Sequence, residues 1–334
     1  MPPVDYEIMH TGKEKAELRS RPRDARPLAA NEIAGRTLVS AISPGTEVVG
    51  CYCATHYQLT DSDAPRSTGY AAVFEVEEVG SDVAGIKVGD VVYGSLPHKS
   101  RQRVPAARVV RLPDGLMPEK AVFCRFPKIA MPTFVHTRVR PPEVVVVTGL
   151  GLVGLMAAQV AQVCGYEVVA VDPDDRRRAI AQAHGVRRVL LAPPLDDPAM
   201  AKRVGLGVDC SGHEQAVLDL CNLVRVRGEV FLIGVPWVPR TTLLAQGILH
   251  SVFYNYVTLT SGWEGQMPAS PETHSDLHHI ATALGWIADG RIRIHESLYA
   301  RAKPDDPQTV YQNLLHRRTT GLTVVFDWRN ANNG

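Results

Sequence analysis

The chain has 334 residues, 45% of them hydrophobic and 21% charged, which is enough to bury substantial cores and long enough for two domains. A formal net charge of +1 gives no general attraction to nucleic acid or acidic membranes, and no apolar run is long enough to span a bilayer. The opening stretch lacks the basic-then-apolar pattern of a secretory signal, so a soluble cytoplasmic protein is the expectation.

In chain order, residues 1–36 are rich in Arg, Lys and Pro and read as an edge strand or irregular lead-in. Leu38 to Ile42 reads as a strand, and Ser43-Pro44-Gly45-Thr46-Glu47 after it demands a turn. Gly69 to Val79 alternates apolar and polar residues as a half-buried antiparallel strand would, and Val88-Gly89-Asp90 reads as a turn between short strands. Strands punctuated by Gly and Pro up to Pro113 predict a small β-barrel or sandwich. Pro118 to His136 is helical in pattern, with Pro127 and Pro132 expected to break or kink it.

Residues Val144 to Asp172 organise the middle of the chain. Four valines, Val144 to Val147, make an apolar β-branched run that fits a strand covered on both faces. Gly149, Gly151 and Gly154 complete a Gly-x-Gly-x-x-Gly pattern, which permits a tight turn, a close approach of pyrophosphate to the backbone, and close packing of helix on strand. The helix after it, from about Val153 to Cys164, turns the free amides at its start, those of Leu152, Val153 and Gly154, toward the phosphates. A second strand, Glu167 to Val171, ends at Asp172, where a carboxylate can accept hydrogen bonds from an adenosine ribose, with Pro173 and Arg177 beside it. An acid at this position favours NAD and repels the 2′-phosphate of NADP; the Arg176-Arg177-Arg178 cluster argues mildly for NADP.

Beyond Asp172, helices and strands alternate: helix Asp174 to His184, strand Arg188 to Leu191, strand Val208 to Cys210, helix Glu214 to Val224, and strands Glu229 to Ile233 and Tyr256 to Thr260. This order specifies a doubly wound parallel sheet. A loop at Pro268 to Pro271, helices Leu277 to Ala288 and Thr309 to His316, and a strand Thr323 to Phe326 complete the chain. The six cysteines contain no Cys-x-x-Cys pair and no disulfide framework, so reduced thiols are expected.

This organisation resembles the medium-chain dehydrogenase/reductase superfamily, the fold of zinc alcohol dehydrogenases. The likeness is carried by Glu77-Glu78-Val79-Gly80 leading to Gly89-Asp90-Val91-Val92, by the glycine fingerprint, by Val208-Asp209-Cys210-Ser211-Gly212, and by Gly228 leading to Ile233-Gly234-Val235-Pro236. It implies an α/β protein with a GroES-like, β-rich substrate domain from residues 1–125 and 263–334, a Rossmann dinucleotide-binding domain at 126–262, and an active site in the cleft between them. It further implies that Gly234, Val235 and Ser261 line the nicotinamide, and that Cys210 and Ser211 contact the cofactor.

The departures concern the metal. Zinc-dependent relatives place a cysteine ligand in the early turn and two further ligating positions in a Gly-His-Glu segment; here these read Pro44 and Gly69-Tyr70-Ala71. The cysteine-rich structural lobe is missing, and of the catalytic ligand types only Cys124 stands at its place. No zinc is therefore expected. Without it, the resemblance leaves three residues to handle the proton and the charge on oxygen: Thr46 as a hydroxyl relay, Tyr70 with its phenol in the vacated metal space, and Lys128 one helical turn after Cys124. For each the plainer reading stays open: a turn hydroxyl, a packing aromatic, a solvated lysine, and for Cys124 a small buried side chain.

The implied activity is a zinc-independent, NAD-linked interconversion of a secondary alcohol and a ketone on a small molecule, in a biosynthetic setting. It is similar to that of the bacteriochlorophyllide hydroxyethyl dehydrogenases and, more loosely, the sugar and cyclitol dehydrogenases. The alternatives are an NADPH-dependent enoyl or quinone reductase and a non-catalytic nucleotide-binding redox sensor. The superfamily also implies a homodimer joined at sheet edges, with Tyr256 to Thr260 as a candidate edge.

Overall fold

The computed structural model describes residues 3–53, 65–200, 202–265 and 274–329, and the expected loop at Pro268 to Pro271 lies outside them. The chain divides into two compact units: Met1–Arg125 with Ile280–Ala288 and Glu296–Gly334, and Phe126–His279 with Asp289–His295.

The first unit is β-rich. Strands β1 (Val4–Gly12) and β2 (Lys15–Pro22) form an antiparallel hairpin, extended on the other side by the short β4 (Arg66–Ser67). The basic lead-in is thus a hairpin rather than a lone edge strand: Ile8 and Ala16 are buried while most of β2's charged side chains face out. A seven-stranded sheet gathers β3 (Glu32–Ala41), β5 (Ala72–Val79), β6 (Val91–Gly94), β7 (Arg101–Pro105) and β8 (Val109–Arg111) with two strands from the far end of the chain, β15 (Tyr299–Ala302) and β16 (Thr323–Asp327). Residues 83–90 carry no strand, so only the second of the two strands expected around Val88-Gly89-Asp90 forms. Between β3 and β4 the chain makes a wide helical turn, Pro44–Tyr52, in which the amides of Glu47 and Val48 both donate to the Ser43 carbonyl.

The helical stretch expected from Pro118 begins with a single turn, α1 (Pro118–Ala121), and a 3₁₀ turn, then runs as α2 (Arg125–His136) straight through Pro127 and Pro132. Both prolines are buried, so side-chain packing offsets the backbone hydrogen bond lost at Pro132.

The second unit holds a six-stranded sheet of order β11-β10-β9-β12-β13-β14, where β9 is Val144–Thr148, β10 Glu167–Val171, β11 Arg188–Leu190, β12 Val204–Asp209, β13 Glu229–Leu232 and β14 Thr258–Ser261. Every pairing is parallel. Val144 to Val147 are all fully buried, as a central strand covered on both faces requires, and each such side chain contributes about 1.5–3 kcal/mol relative to exposure. The connections run through α3 (Leu152–Val163), α4 (Asp175–Ala183), α5 (Glu214–Leu223) and α6 (Ala245–Asn255). Helix α3 is apolar nearly all round and buried, and Gly165 at φ +89° ends it. Helix α4 is capped by the Asp174 side chain, which accepts the Arg177 amide. Helices α7 (Asp276–Ala288) and α8 (Pro307–Leu315) complete the fold, and among the described residues no helix is long and apolar enough to cross a membrane.

Candidate functional site

In the second unit the candidate cofactor residues gather at the carboxyl ends of β9, β10, β12 and β13. Gly149 leaves β9 at φ +83°, and its amide donates to the Val171 carbonyl at 2.8 Å. At Gly154 an added Cβ would lie 1.8 Å from the Gly149 carbonyl oxygen and 3.0 Å from the Cys210 Cβ, so only glycine lets α3 start this close to β9. At Gly151 a Cβ would meet nothing within 4 Å. Gly151 is also the N-cap of α3 and provides no side-chain acceptor, and the Leu155 amide is the one that returns to its carbonyl. The amides of Leu152, Val153 and Gly154 therefore open a twelve-residue helix beside vacant space, which is what a diphosphate needs.

Asp172 closes β10 and is buried. Its Oδ2 accepts the Leu150 amide at 2.6 Å, its Oδ1 accepts the Asp174 amide at 2.9 Å, and Arg177 Nη1 lies 3.4 Å from Oδ2. Pro173 is exposed, and its carbonyl accepts Arg178. The acid therefore orders the glycine turn that follows β9.

A second carboxylate plays the same part at β12. Asp209, fully buried, accepts the hydroxyls of Thr148 and Ser211 and the amide of Ser211 on Oδ1, and the amide of Gly212 on Oδ2. Its carbonyl accepts the amides of Ile233 and Gly234. Gly212 (φ +63°) and Gly234 press together so that a Cβ on Gly234 would sit 2.4 Å from the Gly212 nitrogen. Val235 is exposed beyond them, and Ser261, also exposed, ends β14 with its Oγ accepting the Trp263 amide. Cys210, Ser211, Gly234 and Val235 are thus brought together. Asp209, the residue that assembles them, stands out in sequence only as part of a motif.

Lys128, on α2, is almost fully buried, and its Nζ lies 2.6 Å from Glu264 Oε2 and 2.7 Å from Asp276 Oδ1. It is not a solvated helix lysine. Its two carboxylate partners lie far along the chain, and nothing in the local pattern around position 128 signals them.

The first unit holds the other candidates. Thr46 is exposed between the exposed Gly45 and the buried Glu47. Tyr70 is half-buried with the Arg125 guanidinium 4.9 Å from its ring centre, and Cys124, the neighbour of Arg125, is fully buried. Burial pushes the Cys124 thiol well above its ordinary pKa despite the Arg125 charge. Of Pro44, Tyr70 and Cys124, Cys124 alone is a residue type that commonly ligates zinc. Among the described residues no group of three or more His, Cys, Asp or Glu is arranged to hold a metal ion.

The Glu47 neighbourhood has no counterpart in the motifs of the sequence. Its carboxylate meets His98, Thr68, Tyr311 and the Ser43 amide in a closed interior network.

A zinc-binding dehydrogenase family model matches residues 153–277. L-threonine 3-dehydrogenase of Legionella pneumophila (strain Corby) is 27% identical over 210 residues, which cover 52% of this chain and 61% of that protein. D-guloside 3-dehydrogenase of Shigella flexneri is 33% identical over 183 residues, 48% of this chain and 52% of that one. The chain therefore spans between about half and six-tenths of the length of these curated relatives. An alcohol dehydrogenase from Escherichia coli CFT073, complexed with cofactor NADH, shares the fold with a TM-score of 0.76 at 16% identity, over 97% of this chain and 99% of that one. The two-unit α/β fold with its glycine turn is one that dehydrogenases of known structure share. The chain is similar to the medium-chain dehydrogenase/reductase superfamily, in its alcohol dehydrogenase-like part.

Proposed function

We propose that the chain is a zinc-independent, NAD-linked oxidoreductase that interconverts a secondary alcohol and a ketone on a small biosynthetic intermediate. The observation that carries this reading is the pairing of an open glycine turn, bounded by Asp172, with Pro44 and Tyr70 at the places of metal ligands. Bound at that turn, NAD would accept or return a hydride at its nicotinamide ring. The chain's own part is to hold the diphosphate on the amides of Leu152 to Gly154, the adenosine ribose at Asp172, and the nicotinamide along Gly234, Val235 and Ser261.

The alkoxide formed or consumed needs a donor or a positive charge. Thr46 and Tyr70 supply the hydroxyls and Lys128 the cation, with Cys124 a buried neighbour of the Arg125–Tyr70 contact. The protein works in the cytoplasm as a homodimer joined at the open edge of β14, which ends the order of the parallel sheet. Sedimentation equilibrium, with a dimer as the expected result, is the check of the last point.

The deciding experiment follows absorbance at 340 nm with NAD or NADH across L-threonine, xylitol, methyl glycosides, ketones and enones, with NADH binding measured separately by fluorescence. Turnover of a secondary alcohol by chelator-washed protein free of stoichiometric zinc is the expected result. Catalytic zinc by elemental analysis overturns the metal-free reading. Turnover of enones with NADPH alone moves the assignment to an enoyl or quinone reductase. The changed catalytic positions also fit a nucleotide-binding redox sensor, and NADH binding without turnover of any class would favour it.

A further inference from the structure

Thr46 is followed directly by Glu47, and Tyr70 stands two residues after Thr68. Glu47 and Thr68 are both buried, and they meet: the Thr68 hydroxyl donates to Glu47 Oε2 at 3.1 Å. The same oxygen accepts the Tyr311 hydroxyl at 2.9 Å and faces His98 Nε2 at 2.9 Å, while Oε1 accepts the Ser43 amide at 2.8 Å. One carboxylate thus holds the turn that carries Thr46 from inside and anchors the segment that carries Tyr70.

His98 reinforces the second link. It is fully buried, its Nδ1 lies 2.7 Å from Ser40 Oγ, and that oxygen accepts the Trp328 indole N–H at 2.8 Å. The His98 amide donates to the Thr68 carbonyl at 2.8 Å. The next residue, Gly69, is at φ +94°, and a Cβ there would sit 2.7 Å from the His98 ring, so imidazole and chain are in direct contact immediately before Tyr70. Burial works against an ionised Glu47, yet the electrostatic pull of His98, with hydrogen bonds from His98, the Ser43 amide and Tyr311, holds its pKa below the ordinary value. Stability alone does not call for such a pair, because burying charge carries a desolvation cost that apolar side chains of similar volume avoid. What the pair adds is fixed hydrogen-bond geometry on two chain segments at once.

The geometry points to Glu47 and His98 as a positioning pair that sets Thr46 and Tyr70 relative to one another, so that the two hydroxyls act as one unit. This inference rests on the proton-handling role proposed for those hydroxyls.

The test uses the full chain with the alcohol of the panel that wild type oxidises fastest. Glu47→Gln should lower kcat by about tenfold or more with NADH affinity unchanged, a loss of transition-state geometry rather than of cofactor binding. His98→Gln, whose amide still donates toward Glu47, should recover most of what His98→Ala loses. Backbone hydrogen exchange by mass spectrometry should quicken together at residues 43–47 and 68–70 in Glu47→Gln. Should Glu47→Gln not fold, Thr68→Val keeps the shape, removes one hydrogen bond to Glu47, and should lower kcat by roughly threefold while exchange rises in both segments. Wild-type kcat in the folded variants, or exchange that quickens in one segment alone, overturns the pairing. Failure of wild type to turn over any alcohol defeats the dehydrogenase reading instead, and the exchange result still decides whether the two segments are coupled.

Discussion

The Asp172 carboxylate spends one oxygen on the Leu150 amide, at 2.6 Å, and the other on the Asp174 amide, at 2.9 Å. An asparagine there presents a single carbonyl oxygen, so one of the two amides, buried at Leu150 and part-buried at Asp174, would face an NH₂ group. Asp172→Asn should therefore lose about 1–3 kcal/mol of stability in urea unfolding. It should also narrow a wild-type preference for NAD over NADP, expected at about tenfold or more in kcat/KM, because the charge that repels a 2′-phosphate is gone. Arg177, 3.4 Å away, is then free to pair with that phosphate. Equal use of both cofactors by wild type would refute the assignment of Asp172.

Two glycines of the same turn should behave in opposite ways. Gly154→Ala puts a methyl 1.8 Å from a backbone oxygen, so α3 must shift, and both stability and NADH affinity should fall. Gly151→Ala meets nothing in the protein and sits at φ −65°, so its melting temperature should match wild type. Its methyl enters the space reserved for pyrophosphate, and NADH affinity should drop by about tenfold or more. Fluorescence titration with NADH beside thermal melts checks both; full affinity in Gly151→Ala would place the diphosphate elsewhere.

Tyr70→Phe isolates the phenol. The ring and its contact with Arg125 at 4.9 Å remain, so folding should be unchanged. Loss of the hydroxyl should lower kcat by about a hundredfold if it moves the proton. Wild-type turnover would leave Thr46, Lys128 or a water chain as the carrier.

Lys128 separates two roles by a choice of substitute. Lys128→Met leaves the Glu264 and Asp276 carboxylates without their cation; Asp276 is largely exposed, which limits the cost to about 1–2 kcal/mol. Lys128→Arg keeps the charge and should restore stability, but a guanidinium does not give up a proton, so both variants should show kcat reduced by about a hundredfold. Recovery of kcat in Lys128→Arg would mean that Lys128 acts through its charge and passes no proton.

What could be read from sequence tracked the range of the signal. The β9 valines, the glycine turn and the β10 acid lie within thirty residues and report on their own neighbours, so the parallel sheet was legible. Helix α6 was not, because Leu249, Phe253 and Tyr254 are exposed and blur the apolar face that marks a helix. The β1–β2 hairpin was hidden by the charged side chains that β2 turns outward. Contacts between distant positions were invisible: His98 lies fifty-one residues from Glu47, and Glu264 lies 136 from Lys128. Nothing periodic links such pairs, so the groups that position the candidate hydroxyls and the lysine emerged only from the fold.

His10 offers a pH test of the first unit. Its ring packs edge-on against Tyr311 at 4.8 Å and tilted on Tyr52 at 5.4 Å, and its buried Nε2 has no hydrogen-bond partner among the described residues. Burial lowers its pKa from 6.5 to about 4; the Glu47 charge pulls up and His98 pulls down, both more weakly. Between those two values the unfolded chain takes up a proton that the folded chain refuses, so stability must rise with pH through the window. The contribution is complete above about pH 6.5, and the loss amounts to about 3 kcal/mol by pH 4. His184 and His279, also lowered by burial, change stability in the same direction, and Glu47, held below its ordinary value, adds a further loss at more acidic pH. The difference between wild type and His10→Phe therefore isolates this one residue. In urea unfolding followed by tryptophan fluorescence, His10→Phe should lose about 3 kcal/mol less than wild type on going from pH 7 to pH 4. Parallel pH profiles for the two proteins would mean that His10 is protonated inside the fold.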